Sequence, residues 1–378
     1  MRARFLLAAV AAVLGATALT VPAAQAAATP AARSHAATRA AMAAAVADGV
    51  PGVAGKAVDR DGTWGVAVGV GNLRTGAPRS ADDRFRAGSI TKTFVATVLL
   101  QLEAEGRLDL DDTVDHWLPG LVRGNGNDDR RITLRRLLNH TSGIFNYTND
   151  ADFRARVLGP EFLEHRYETH TPRELVAVAL RHPPTSAPGG AWSYSNTNYV
   201  LAGMVIEKAT GRPYGDEIRR RIIRPLGLRA TSVPGLDPLV RGPHSRGYSL
   251  LGGATAYDVT TLNPSLAGAA FEVISDADDL NRFYSVLLRG GLLPRAQLAE
   301  MKTTVPSGGG GGYGLGLTVQ TLPCGVEVWG HGGLIHGSAS TAATTADGRH
   351  GITYNVNADW GSGEASTKVL AAEFCPAG

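Results

Sequence analysis

Charge of either sign is in short supply. The 378 residues carry 37 lysines and arginines against 34 acidic residues, a net charge of +3. That balance leaves no footprint for nucleic acid, even with a pI near 8.9. Cysteine is scarcer still: Cys324 and Cys375 are the only two. With no matching histidine cluster they do not suggest zinc. Past residue 26 no apolar run is long enough to span a membrane. Charged residues make up 19% and apolar residues 44%, with a mean hydropathy of −0.05. This excludes wholesale disorder and allows a sizeable core. The length fits one large domain or two ordinary ones, and no internal repeat is visible. Lysine is the least used cation. Only Lys56, Lys92, Lys208, Lys302 and Lys368 occur, and lysine is the basic side chain whose charge burial can tune.

The first 26 residues read as a leader. Arg2 and Arg4 precede the apolar run Phe5 to Leu19, followed by Val21-Pro22 and Ala24-Gln25-Ala26. A basic start, a short greasy stretch and a small-x-small site define a cleaved secretory signal; an uncleaved anchor is the alternative. Residues 27–39 read as a flexible lead-in. The expected location is therefore outside the cell, on the cell-wall side, with no membrane span after cleavage. Export permits a disulfide, and Cys324 and Cys375 are expected to form one. The alternative is a pair of buried thiols.

The patterning predicts a helix over 36–48 and a hairpin over 52–76 around Asp61-Gly62. Further helices are expected over Ser89 to Glu105, from the capping box Thr171-Pro172-Arg173-Glu174 to Leu180, over Asn198 to Thr210, and after Ser275-Asp276 to Leu288. Strands are expected at Gly314 to Gln320, Val326 to Gly330, Ser338 to Thr345 and Ile352 to Asn357, with Asp347-Gly348 as a turn and a closing helix at 363–374. The five glycines 308–312 read as a mobile surface loop. Together these predict an α/β (α+β) fold: an antiparallel sheet from both chain ends flanked by helices, with a mostly helical insertion. The expected boundaries are 40–95 with 265–378 for the sheet domain and 96–264 for the helical one.

Three motifs carry chemistry. In Ser89-Ile90-Thr91-Lys92 a serine opens a helix, and the lysine lies three residues on, on the same face. A buried lysine loses its charge and can act as a base toward the hydroxyl. A capping serine beside a surface lysine is the competing reading. In Tyr194-Ser195-Asn196 the phenol can relay a proton and Asn196 can hold Lys92 and a substrate amide. Tyr147-Thr148-Asn149 has the same form, but Tyr194 has the more polar loop-to-helix setting. In Gly330-His331-Gly332-Gly333 the glycines let a substrate lie along a strand edge, and His331 supplies a donor or a positive charge. If that charge is needed, activity should fall as pH rises through roughly 6–7. His331 with His336 lacks a third ligand for a metal.

In this order, the motifs resemble the penicillin-recognising serine hydrolases, the class C β-lactamase and DD-peptidase superfamily (peptidase family S12). The likeness is nearest to the secreted D-alanyl-D-alanine carboxypeptidases and runs from about residue 40 to Cys375. It implies Ser89 as the acylated nucleophile, Lys92 and Tyr194 as proton shuttles, Asn196 as orienting residue, and the backbone N–H groups of Ser89 and Leu334 as the oxyanion hole. It implies no cofactor or metal, and it implies action on small peptides or β-lactams, with peptidoglycan-type peptides as substrates; a monomer is the default expectation. Three substrate-binding positions depart from the pattern: Gly332 where relatives often have Thr or Ser, Leu334 where they often have Thr, and Thr318 where the carboxypeptidases place an arginine for the terminal carboxylate. Gly333 keeps the motif's second glycine. A lost charge-assisted hydrogen bond costs on the order of 1.5–3 kcal/mol. An esterase, a D-aminopeptidase or amidase, a β-lactamase, and a non-catalytic penicillin- or muropeptide-binding module are the alternatives on this scaffold.

Overall fold

The computed structural model describes residues 30–308 and 311–375; the expected signal segment lies outside the described residues. Its spine is an antiparallel sheet of eight strands: β1 (Gly52–Asp59), β2 (Gly62–Gly69), β3 (Val305–Pro306), β4 (Gly311–Tyr313), β5 (Thr318–Thr321), β6 (Glu327–Ile335), β7 (Ser338–Thr345) and β8 (Gly351–Val356). The order across the sheet is β2-β1-β8-β7-β6-β5-β4-β3. Pairing of β1 with β8, Val53 opposite Val356, joins the two ends of the chain as expected. β8 is buried along its whole length and β7 along most of its own. Their sequences are rich in small and β-branched residues, SASTAATT in β7 and GITYNV in β8, which fit between packed layers.

The main helices are α1 (Pro30–Ala47), α2 (Thr91–Ala104), α3 (Pro172–Leu180), α4 (Asn196–Thr210), α5 (Ala277–Leu288) and α6 (Ser362–Phe374). α1 and α6 share one cluster with the sheet, where Met42, Val53, Tyr354, Leu370 and Phe374 pack together. The larger core lies among α2, α4 and α5, and buries Phe94, Leu99, Tyr199, Phe283 and Tyr284. Local signals hold where they were clear. Thr171 and Glu174 close the capping box of α3 with Pro172 in its first turn. Gly211 ends α4 in the left-handed conformation at φ +70. Asp276 caps α5 by accepting from the Asp279 N–H.

Three expectations need correction. The lead-in expected to be flexible through Arg39 is helical from Pro30. Its alanines favour helix, and tertiary partners hold it: His35 stacks on Trp64 at 4.7 Å and the Thr38 hydroxyl donates to Glu373 at 2.7 Å. Of the strand expected from Gly314 to Gln320, only the part from Thr318 onward is strand, in β5. A turn precedes it, closed by Gly314 N–H donating to Leu317 O at 2.7 Å. Gly316 in this turn has φ +69 and is pressed on α2, where a Cβ would lie 2.8 Å from the Lys92 carbonyl. The strand expected to stop at Gly330 continues to Ile335, because β7 keeps pairing with it through His331↔Ala342 and Gly333↔Ser340. β5, in contrast, pairs no further than Thr318↔Gly330. From His331 onward β6 therefore has one edge free of β5. Of the glycine run, Gly309 and Gly310 lie outside the described residues, and β4 already begins at Gly311. Cys324 and Cys375 are bonded as expected and tie the β5–β6 turn to the end of α6. Among the described residues, no helix is long and apolar enough to cross a membrane.

Candidate active site

Ser89 sits in a short 3-10 turn, Gly88–Ile90, that runs into α2. Gly88 has φ +57, and a Cβ there would lie 2.6 Å from the Leu334 backbone nitrogen. Only a glycine lets this turn press so closely on β6. Gly333 answers from the other side, where a Cβ would meet the Ala87 carbonyl at 1.9 Å. The Ser340 hydroxyl donates to that same carbonyl at 2.9 Å and pins the turn to β7. The serine is thus fixed against the backbone of Gly333 and Leu334.

Lys92, the second residue of α2, is fully buried. Its Nζ lies 2.8 Å from Asn196 Oδ1, 2.8 Å from the Ala270 carbonyl and 3.1 Å from Ser89 Oγ. None of these partners is anionic, and burial pushes the amine well below the ordinary lysine range. A neutral amine has two N–H groups and one lone pair. The two carbonyl oxygens can only accept, so they take the N–H groups. The lone pair is left facing the Ser89 hydroxyl.

Tyr194 donates its O–H to Ser89 Oγ at 2.8 Å. Burial pushes this phenol up, against the opposing effect of the Ser89 hydrogen bond. It is therefore a neutral donor in the resting protein. Its ring rests on His140 at 4.3 Å. His140 is itself buried, and desolvation pushes its pKa well below the ordinary histidine range. Asn196 opens α4 and uses both ends of its amide, donating from Nδ2 to Thr148 Oγ1 at 3.2 Å. The rival Tyr147 is a packing residue whose hydroxyl donates to the Leu266 carbonyl at 2.7 Å. Its neighbours Thr148 and Asn149 nevertheless line the cleft.

His331 departs from expectation. It is 5% exposed, inside β6 rather than at a strand end. Burial lowers its pKa to about 3. Its Nδ1 lies 2.6 Å from the Gly332 carbonyl and its Nε2 lies 2.9 Å from the Tyr313 hydroxyl. The carbonyl can only accept, so Nδ1 carries the proton and Tyr313 donates to Nε2. Of the donor and the positive charge read from the sequence, burial disfavours the charge. Thr318 turns its hydroxyl onto the Gly330 carbonyl at 2.9 Å. Gly332 opens on space, its nearest neighbour to a Cβ being Ser340 O at 3.9 Å. Leu334 presents an apolar side chain that is 54% exposed.

The cleft over Ser89 measures about 460 Å³, and Tyr194, Asn196 and Leu334 line it. Reasoning from sequence missed Arg154, Ser249, Phe271, His336 and Asp359, which line it too. They come from separate loops and carry no shared spacing, so no linear signal marks them. Among the described residues no metal-holding group of His, Cys, Asp and Glu is found.

A hydroxyl with a neutral amine on one side and a phenolic donor on the other is the constellation of an acyl-transferring serine hydrolase. The chain belongs to the beta-lactamase family, whose profile matches residues 35–373, and is a serine hydrolase of the β-lactamase and penicillin-binding-protein type. Its fold is similar to the crystal structure of a D-stereospecific amidohydrolase from Streptomyces sp., with 58% identity, a TM-score of 0.87, and coverage of 91% of this chain and 99% of that one. It is also similar to the D-amino acid amidase from Ochrobactrum anthropi SV3, in its complex with L-phenylalanine amide, at 28% identity and a TM-score of 0.77, covering 90% and 98%. Penicillin-binding protein 4* of Bacillus subtilis is 27% identical over 81% of this chain and 68% of its own length.

Proposed function

We propose that this protein is a D-stereospecific amidohydrolase that works through an acyl-enzyme on Ser89. The observation that carries the reading is the arrangement around Ser89: Lys92 Nζ at 3.1 Å and Tyr194 Oη at 2.8 Å from its Oγ. In acylation, Ser89 Oγ adds to the amide carbonyl and its proton passes to Lys92. The backbone N–H groups of Ser89 and Leu334 receive the oxyanion, each donor being worth about 3 kcal/mol. The C–N bond then breaks as Tyr194 protonates the leaving amine. Lys92 returns its proton to Tyr194, and water repeats the sequence to free the acid. Asn196 keeps Lys92 in place and offers its remaining N–H to the substrate.

The amide reading is preferred over the carboxypeptidase one expected from the motif order. The positions that would clamp a terminal carboxylate are Gly332, Leu334 and Thr318, none of them charged, and His331 is neutral. The likeness to two D-amino-acid amidohydrolases points the same way. One observation favours the carboxypeptidase: Arg154 is exposed on the cleft rim with no ion pair among the described residues, in reach of an incoming carboxylate. Export through residues 1–26 is part of the proposal, supported by the Cys324–Cys375 bond.

The test offers the protein D-phenylalanine amide, its L enantiomer, a D-Ala-D-Ala peptide, a short-chain ester and a fluorescent penicillin. Ammonia release from the D-amide, with an acyl adduct on Ser89 that is lost in Ser89→Ala, is the expected result. D-Ala release without amide turnover selects the carboxypeptidase. An adduct with penicillin and no turnover selects a binding module.

A further inference from the structure

Asp359 plays no part in the acyl-transfer steps above, yet it lines the same cleft as Ser89, Tyr194 and Leu334. It follows β8 on a tightly fixed segment. Asn357 Nδ2 donates to the carbonyls of Val70 and Arg246 at 3.2 and 2.9 Å, and Ala358 bridges Tyr248. On the other side, Trp360 Nε1 donates to Gly49 O at 3.3 Å. The carboxylate accepts from Gly337 N–H at 3.2 Å and is hydrogen-bonded by Ser249. Both partners are neutral. Burial raises the acid, and among the described residues no Lys, Arg or His forms an ion pair with it. The basic groups lining the cleft do not neutralise it: burial holds His336 neutral at a pKa of about 3, and Arg154 on the rim is not paired with it. A carboxylate drawn partly out of water without a cation is costly, and a cation arriving on a ligand removes that cost.

The free edge of β6 gives this carboxylate a direction. His331 lies at one end, bonded to Tyr313, whose ring is 6.2 Å from that of Tyr194. Tyr194 is the donor for the leaving amine, so the leaving group lies toward that end. The acyl part then runs the other way, past Leu334 and Ile335 to the β6–β7 turn, where Gly337 holds Asp359.

We propose that Asp359 docks the free ammonium group at the amino end of the acyl chain, so that the enzyme selects D-aminoacyl substrates whose amine is unblocked. This rests on the amidohydrolase reading.

The experiment measures kcat/KM for D-phenylalanine p-nitroanilide and for its N-acetyl derivative, in the wild type, Asp359→Asn and Asp359→Glu. Penicillin labelling of Ser89 checks that each variant is folded. The wild type is expected to prefer the free amine by about ten- to a hundredfold, the value of one charge-assisted hydrogen bond. In Asp359→Asn the preference should collapse toward one, chiefly through KM, and Asp359→Glu should restore part of it. Equal wild-type rates on the two anilides, or an Asp359→Asn variant that keeps the preference or slows both anilides alike, overturns the assignment and leaves the amidohydrolase reading standing. A wild type labelled by penicillin that cleaves neither anilide overturns both.

Discussion

The charge state of Lys92 decides whether the site works as described, and a pH titration reads it. An ordinary lysine, with a pKa near 10.4, is neutral in only about one molecule in 2,500 at pH 7. Each unit by which folding lowers that value multiplies the neutral fraction tenfold and corresponds to about 1.4 kcal/mol. Here the amine is fully buried against three uncharged oxygens, which pushes it well below its ordinary range. A base acts when deprotonated. Activity from Lys92 is therefore complete above its folded pKa and lost, tenfold per unit, as pH falls through it. The same group makes the fold less stable as pH drops below about 10.4, because the unfolded chain binds the proton and the folded one does not. His331, lowered to about 3, stays neutral and adds no limb of its own between pH 6 and 7. Tyr194, pushed up by burial, adds no decline below about pH 10. The expected profile of kcat/KM on D-phenylalanine p-nitroanilide reaches its plateau well below the ordinary lysine pKa and falls only on the acid side. A tenfold rise per unit through pH 8–10 would mean an ordinary ammonium at neutrality and would refute the assignment of Lys92 as base. A decline as pH rises from 6 to 7 would restore a charged His331.

Two further outcomes follow from the geometry. Tyr194→Phe removes the donor 2.8 Å from Ser89 Oγ; kcat on amides should fall by about 10²–10⁴. A p-nitrophenyl ester should suffer much less, since its leaving group departs without a proton, and equal losses on both would remove Tyr194 from the acid role. Gly333→Ala places a Cβ 1.9 Å from the Ala87 carbonyl, whereas Gly332→Ala meets nothing closer than 3.9 Å. The first should lose activity and melt earlier, while the second should keep the wild-type melting temperature, as thermal melts and acylation rates would show.

The amino-acid sequence by itself determined the engine. Ser89 and Lys92 are three apart on one helix, so local geometry already brings their side chains to the same face. The capping box at Thr171, the stop at Gly211 and the small, β-branched runs of β7 and β8 are short-range signals that survive folding unchanged. The pairing of Cys324 with Cys375 followed from having only two candidates. What the tertiary structure decided is everything that depends on burial and on distant chain segments. The turn at Gly316 interrupts an apparently continuous strand because α2 lies against it, and β6 outruns its expected end because β7 continues beside it. His331 has the look of a cation in the sequence, but desolvation strips its charge, and that cost depends on atoms contributed by other elements. Asp359 was invisible beforehand for the same reason. A carboxylate gains meaning only when the fold draws it out of water, sets it over Ser89's cleft, and supplies no cation of its own.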